Sequence, residues 1–237
     1  MAYFVKKLSI IIPVYNEKKT IQKLLNKVFA IKNLIKEVIV IDDFSTDGTR
    51  NILNKNKSKI NKLIFHKQNL GKGAAIQSGK KFITGDVVII QDADLEYNPQ
   101  DYFKLLNKIK EGYKAVYGSR VLGKKRYLLK NFSSLSRIFF NHILTVFSNF
   151  INNQNLTDAH TCYKMFRSNV FLSIRLREKD FSFCPEITTK LGLRKIKIQE
   201  VSIDYFGRQY SDGKKIKFID GVKALIVLLK YRFFVKD

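Results

Sequence analysis

Short apolar runs recur through the first half of the chain, each bounded by Gly, Pro, Asn or Asp. Residues 8–14 (Leu-Ser-Ile-Ile-Ile-Pro-Val), 37–41, 62–66, 87–91 and 115–118 read as buried strands. Helical patterns separate them, over 19–30 (Ile21, Leu24, Leu25 and Val28 on one face), 49–56, 74–82 and 100–111. Strands alternating with amphipathic helices up to residue 118 predict βαβ units. They imply an α/β fold, a mostly parallel Rossmann-like sheet covered by helices on both faces.

Beyond residue 120 the rhythm changes. Residues 124–126 are a basic run. A long helix is predicted over 132–151, with Leu135, Ile138, Phe139, Ile143, Val146, Phe147 and Phe150 apolar. A strand over 164–166, a helix over 185–191, a strand over 196–201, a basic glycine-containing stretch over 205–215 and a final helix over 218–234 follow. No linker and no repeat interrupts the chain. The second part reads as appended to the same sheet, giving one domain over 1–237 with a C-terminal helical extension.

In such sheets ligands bind beyond the carboxyl ends of the strands. Five polar clusters fall there: Tyr15-Asn16-Glu17, Asp42-Asp43, 69–73, Asp92/Asp94/Glu96 and Ser119-Arg120. Asp92, Asp94 and Glu96 share one parity. If the chain stays extended they project to one side. Clustered oxygens suit a hard cation, Mg²⁺ or Mn²⁺. Alone, the triplet fits a solvated acidic turn as well; four companion clusters on the same edge favour the metal. Asp42-Asp43 offers hydrogen bonds to a ribose hydroxyl or base edge. It also fits an Asx-type turn with Ser45, Asp47 and Gly48, and both can hold if Asp43 faces the ligand. Tyr15 offers a ring for a base, and Glu17 an acceptor. Gly71-Lys72-Gly73 invites a phosphate-loop reading but lacks the preceding Gly and the following Ser or Thr of that motif.

Composition narrows the partners. Of 237 residues, 45% are hydrophobic, enough for a sizeable core. Lys and Arg number 44 against 20 for Asp and Glu, a net charge of +24. That field attracts nucleic acid, anionic lipid or phosphorylated substrates. Richness in Lys, Asn and Ile together accounts for part of the excess. No RNP-like, zinc or helix-turn-helix signature is present, so a nucleic-acid-binding protein is the remote alternative, resting on charge alone. Cys162 and Cys184 have no metal-ligand spacing and read as ordinary thiols of a reducing compartment. His66, His142 and His160 are isolated, as expected of surface or hydrogen-bonded core positions. No signal-peptide pattern is found, and no stretch reaches the ~20 apolar residues that cross a bilayer. The expectation is a cytoplasmic protein, soluble or lying on a membrane surface.

Six motifs occur in order: Ile12-Pro-Val-Tyr-Asn-Glu17, Asp42-Asp-Phe-Ser-Thr-Asp-Gly-Thr49, Asn69-Leu-Gly-Lys-Gly-Ala-Ala75, Asp92-Ala-Asp-Leu95, Gly118-Ser-Arg120 and Thr161-Cys-Tyr-Lys-Met-Phe-Arg167. The set resembles the inverting family 2 glycosyltransferases of GT-A fold. It is most similar to the dolichol-phosphate mannosyltransferase type and its bacterial polyprenyl-phosphate relatives. The resemblance continues through Glu200-Val-Ser-Ile203, Gly207-Arg208 and Gly213-Lys-Lys-Ile216, so it covers nearly the whole chain.

The resemblance implies metal-dependent transfer of a hexose from a nucleotide sugar, of GDP-mannose or UDP-glucose type, to a polyprenyl or dolichyl phosphate. It divides the domain into a nucleotide- and metal-binding part, 7–120, and an acceptor-binding part, 121–237. Pro13, Tyr15, Glu17, Ile41, Asp43, Lys72, Asp92 and Ala93 fall at nucleotide-sugar positions. Asp92, Asp94 and Glu96 fall at the metal site, although relatives often carry Gln in place of Glu96. Arg120, Arg137 and Asp158 fall at acceptor positions. Arg208 and Lys214 match a basic segment that closes on the diphosphate. Asp94, Arg120, Arg208 and Lys214 make up the implied catalytic set. Phe44 departs from the usual Gly, and Asp212 stands where relatives often have Glu.

A saccharide hydroxyl is the alternative acceptor, as in surface polysaccharide synthesis. It needs a general base, for which Asp158 and Glu186 are the candidates. A lipid phosphate, with a second pKa of about 6, is largely ionised already and needs none. The helices over 132–151 and 218–234 either pack on the sheet or lie in the interface of an anionic membrane, in peripheral contact at its cytoplasmic face.

Overall fold

The computed structural model describes residues 3–123, 135–207 and 218–235. Seven strands form one sheet: β1 (Lys7–Val14), β2 (Ile35–Asp42), β3 (Lys62–Phe65), β4 (Val87–Ile90), β5 (Ala115–Ser119), β6 (Lys164–Arg167) and β7 (Ile198–Ser202). Their order is β3-β2-β1-β4-β6-β5-β7. Neighbours run parallel, except that β6 is antiparallel to both β4 and β5. β6 and β7, from the second part of the chain, therefore complete the sheet begun by the first.

Each predicted strand is present, with ends shifted by a residue or two. Ile10, Ile11, Ile12, Val40, Ile41 and all of β4 are fully buried. Such strands read as unbroken apolar runs because helices cover both faces. The covering helices are α1 (Ile21–Phe29), α2 (Thr49–Lys55), α3 (Lys72–Lys80), α4 (Tyr102–Lys110), α5 (Leu135–Asn152), α6 (Ser168–Ser173), α7 (Phe183–Leu193) and α8 (Phe218–Leu229). α1 buries Ile21, Leu24, Leu25 and Val28, the predicted stripe. α3 starts two residues before its predicted start.

α6 was not predicted; at six residues it is too short to carry a helical period. α7 starts ahead of Pro185, which sits in its first turn, where a missing N–H costs nothing. The last predicted helix divides into α8 and a π-helical turn over Lys230–Phe234. The first residues of the predicted helix over 132–151 lie outside the described residues.

α5 packs against α7 and α8. Each of α5 and the α8 segment keeps an outward stripe at helical spacing. Phe139, Ile143, Val146 and Phe150 are exposed on one, and Val222, Ile226, Leu229 and Phe233 on the other.

Candidate active site

β1 lies between β2 and β4, where the chain's strand order reverses direction, so a crevice opens at their carboxyl ends. β2 ends in the paired aspartates. Asp42 is buried and accepts from Ser45 N–H (3.1 Å) and from Arg50 Nε (2.6 Å). Asp43 accepts from Leu70 N–H at 2.9 Å and Gly71 N–H at 2.7 Å, and its Oδ1 lies 2.7 Å from Nδ1 of His66. The sequence aimed Asp43 at the nucleotide, and His66 is a hydrogen-bonded core position, one of the two placements expected of it. In the structure Asp43 first organises the loop entering α3, which leaves only part of its hydrogen-bonding capacity for a ligand.

The expected Asx turn is present: Asp47 accepts from Lys18 N–H and Thr49 N–H, and Gly48 takes φ +97°. Phe44 has φ +67°, a conformation that explains why glycine is usual there. Its ring and that of Phe65 sandwich the Arg50 guanidinium at 5.3 and 5.2 Å, which offsets a cost of about 1 kcal/mol.

The 69–73 glycines serve chain packing. A Cβ on Gly71 would lie 2.5 Å from the Lys179 carbonyl oxygen, and one on Gly73 would meet that of Glu178. Ala74 N–H donates to Lys179 O at 3.0 Å. This close approach sets the start of α3 and aims Lys72 at the acidic turn. Lys72 Nζ lies 2.5 Å from Asp92 Oδ1. Burial opposes its charge, yet the Asp92 carboxylate holds the ammonium well above its ordinary pKa.

The turn after β4 corrects the parity argument. The chain does not stay extended: Ala93-Asp94 forms a turn, and Leu95 takes φ +65°. Asp94 Oδ1 accepts from Glu96 N–H at 3.1 Å. Glu96 is buried and receives the Tyr205 hydroxyl at 2.8 Å. Among the described residues no three His, Cys, Asp or Glu side chains are gathered for a metal. The three carboxylates are thus not gathered in one cluster: Glu96 is turned to Tyr205, and the turn itself keeps Asp92 and Asp94. These two still suit a divalent cation: their oxygens are hard donors, and a cationic ammonium already sits against Asp92.

Other predicted nucleotide positions are spread around the crevice. Tyr15 lies at the rim, 36% exposed, and Pro13 is half-buried beside Ile41 in register. Glu17 is buried, and its Oε2 accepts from Thr20 Oγ1 at 2.7 Å. Ile41 and Ala93 are core side chains, so a ligand reaches them only through their main chain. Ile41 packs beneath Gly79 of α3, where a Cβ would approach its Cδ1 to 2.7 Å.

Across the crevice, β5 delivers Arg120. Asp158 grips it with two side-chain bonds, Nε to Oδ2 at 2.6 Å and a terminal nitrogen to Oδ1 at 2.8 Å. The Arg120 main-chain N–H adds a third at 3.1 Å. Burial works against both charges, but each stabilises the other; the Asp158 pKa falls and that of Arg120 rises. Glu200, at β7, fixes the loop carrying Asp158 by accepting from Thr157 N–H and Asp158 N–H. Glu186 is equally committed, to the N–H groups of Arg177 and Glu178 and to Lys190. His160, two residues after Asp158, is held neutral: burial, then nearby Lys164, lower its pKa to about 4.

Arg137 lies in the first turn of α5, with its side chain outside what is described. Arg208 and Lys214 lie outside the described residues. Motif reading missed Tyr205 and the anchoring role of Glu200, which lies in the matched segment 200–203; each acts through a partner distant in the chain.

A mostly parallel sheet with this acidic turn and arginine on its carboxyl edge is the GT-A arrangement of nucleotide-sugar transferases. The family profile described as Glycosyl transferase family 2 matches residues 9–175, and the chain belongs to that family; it is a glycosyltransferase. It is 28% identical to a dolichyl-phosphate β-glucosyltransferase of Trichomonas vaginalis, over 96% of this chain and 73% of that one. It is 25% identical to an undecaprenyl-phosphate 4-deoxy-4-formamido-L-arabinose transferase of Yersinia enterocolitica, over 95% and 68%. Among solved structures it superposes on glucosyl-3-phosphoglycerate synthase of Mycobacterium tuberculosis, bound to Mn²⁺, UDP-glucose and phosphoglyceric acid. That TM-score is 0.69 at 17% identity, covering 98% and 81% of the two chains. The same enzyme has been solved with Mg²⁺ and UDP, at TM-score 0.68.

Proposed function

We propose that the protein transfers a hexose, with inversion, from a nucleotide sugar to a polyprenyl phosphate. The polyprenyl-phosphate relatives support the acceptor class. The observation that carries the reading is the state of the two carboxylates a saccharide acceptor would need as base. Asp158 is spent on Arg120, with a lowered pKa, and Glu186 is spent on two N–H groups and Lys190. A phosphate needs neither. One of its oxygens attacks the anomeric carbon as the carbon–oxygen bond to the nucleoside diphosphate breaks, and no proton has to move.

Asp92 and Asp94 would hold a Mg²⁺ or Mn²⁺ ion, which supplies charge stabilisation for the leaving diphosphate. Lys72 is within reach of the same group. Tyr15, Glu17, Asp43 and the main chain at Pro13, Ile41 and Ala93 would line the nucleoside. Arg120, held ready by Asp158, and Arg137 would take the acceptor phosphate. Arg208 and Lys214 would add charge to the diphosphate. On this reading residues 7–120 serve the donor and 121–237 the acceptor, within one domain.

The two apolar stripes on α5 and α8 would lie in the interface of an anionic membrane on its cytoplasmic side, where the lipid acceptor is met. No helix among the described residues is long and apolar enough to cross it. Loop 157–161, which carries Asp158, is bonded to α5: Ala159 N–H donates to Thr145 Oγ1, and Asn149 Nδ2 to Leu156 O. Through Asp158, Arg120 is thus tied to the inward side of α5, at Thr145.

The test is transfer from labelled UDP-glucose and GDP-mannose, with Mn²⁺, to polyprenyl phosphate and to free sugars. A hexosyl phospholipid is expected. Transfer only to sugars would refute the proposal.

A further inference from the structure

Glu96 and Tyr205 meet across 109 residues of sequence. Three contacts join their segments. The Tyr205 hydroxyl donates to Glu96 Oε2 at 2.8 Å, Phe206 N–H donates to Glu96 O at 3.0 Å, and Tyr97 pairs with Tyr205 as an isolated antiparallel bridge. Glu96 in turn donates its own N–H to Asp94 Oδ1. On the other face, the Arg120 guanidinium lies 5.2 Å from the centre of the Tyr205 ring.

Tyr205 thus touches both halves of the crevice, the turn bearing Asp94 and the arginine gripped by Asp158. The ring is itself held. Tyr97 leans on it at 5.4 Å and stacks on Tyr163 at 4.9 Å and 3°, and Tyr163 anchors its hydroxyl on Asn98 O at 2.9 Å. Asp204 N–H, one residue away, is tied to Asp101 Oδ2.

We propose that Tyr205 is a positioning residue that locks the Asp94 turn to Arg120, with Glu96 as its hydrogen-bond partner rather than a metal ligand. The hydroxyl fixes the turn, and the ring face fixes the guanidinium at the distance set by one tyrosine side chain. Glu96 Oε2 is taken up by the neutral Tyr205 hydroxyl. An amide oxygen at position 96 would accept the same bond, so charge there is not required. The inference rests on the proposal that Asp94 serves the donor and Arg120 the acceptor.

The test compares Tyr205→Phe, Glu96→Gln, Glu96→Leu and the double variant Tyr205→Phe/Glu96→Leu. All keep the volume of the site, and thermal melts check the fold. Glu96→Gln is expected to retain wild-type turnover and the wild-type Mn²⁺ midpoint. Tyr205→Phe and Glu96→Leu each lower kcat about tenfold with donor KM unchanged, the loss of one bond to a charged group. The double variant is no worse than either single variant, because both remove one interaction.

A Glu96→Gln variant whose Mn²⁺ midpoint rises tenfold or more makes Glu96 a metal ligand and overturns the inference. Additive losses in the double variant, or losses in melting temperature alone, overturn it as well. Mn²⁺ and donor titrations by calorimetry need no acceptor, and turnover is read with whichever acceptor the wild type uses. A wild type that ignores polyprenyl phosphate therefore refutes the proposed function without deciding this one.

Discussion

Lys72 Nζ stands 2.5 Å from Oδ1 of Asp92, and each side chain is only 13% exposed. The lysine opens α3, whose start is fixed by the glycine-tight approach to the chain at 178–180. It neutralises a carboxylate that would otherwise be half-buried without a countercharge. Replacing it should therefore free Asp92 for metal while removing a contact to the diphosphate. Lys72→Met is expected to bind Mn²⁺ alone more tightly and the donor about tenfold more weakly, since a charge-assisted bond is lost. Calorimetric titration of both ligands checks this; unchanged Mn²⁺ affinity would disprove it.

Asp94→Ala should abolish transfer, by about a hundredfold or more, with the fold intact. Its carboxylate accepts the Glu96 N–H within a turn rather than in a strand. Removal of divalent ions by a chelator should give the same loss in the wild type, reversed by Mn²⁺. Metal-dependent turnover in the variant would contradict the role given to Asp94.

Asp158→Ala breaks a buried pair in which both charges depend on each other. It should destabilise the protein by about 3–5 kcal/mol, the cost of a buried charge left alone. A denaturation curve measures that directly. Asp158→Asn keeps the shape and one acceptor, so it should fold, with a raised KM for the acceptor and an unchanged KM for the donor.

Glu37 gives a pH dependence to stability. It sits on β2, and its side chain bonds Ser9 of β1 and the Thr84 and Gly85 N–H groups of the loop before β4. Burial raises its pKa, but Lys7, Ser9 and Thr84 outweigh this and pull it down to about 2, from an ordinary 4.5. The unfolded chain takes up this proton first as pH falls. The contribution is complete above pH 4.5 and disappears between 4.5 and about 2. It amounts to no more than about 3 kcal/mol. Glu37→Gln should therefore be less stable than wild type at pH 6, with the difference shrinking toward pH 3 in urea titrations.

Phe150 and Phe234 are 85% and 82% exposed, the most open aromatic rings of the two apolar helical segments. Phe150→Asp combined with Phe234→Asp should abolish co-sedimentation with vesicles containing anionic lipid, since each ring buried at an interface contributes ~1.5–3 kcal/mol. Donor binding should be unchanged. Equal vesicle binding by the double variant would remove the membrane reading of this face.

The chain's alternation of apolar runs and amphipathic helices determined the sheet and its carboxyl edge. Those signals are local: a strand buried on both faces must be apolar throughout, and a turn needs Gly, Asn or Asp. Asp92, Arg120 and the paired aspartates could be assigned to that edge from their spacing alone. What each carboxylate does there depended on contacts between residues far apart in sequence. Leu95 in a left-handed conformation separated Glu96 from Asp94, which no parity count anticipates. Lys72 reached Asp92 because of glycines packed on residues 178–180, and Asp43 turned to the loop 70–71 and His66. Tyr205 carries no motif and joins Glu96 across 109 residues. The sequence thus determined which polar clusters fall at the strand ends, and only tertiary packing decided their partners, because a hydrogen bond is satisfied by whatever the fold brings within about 3 Å.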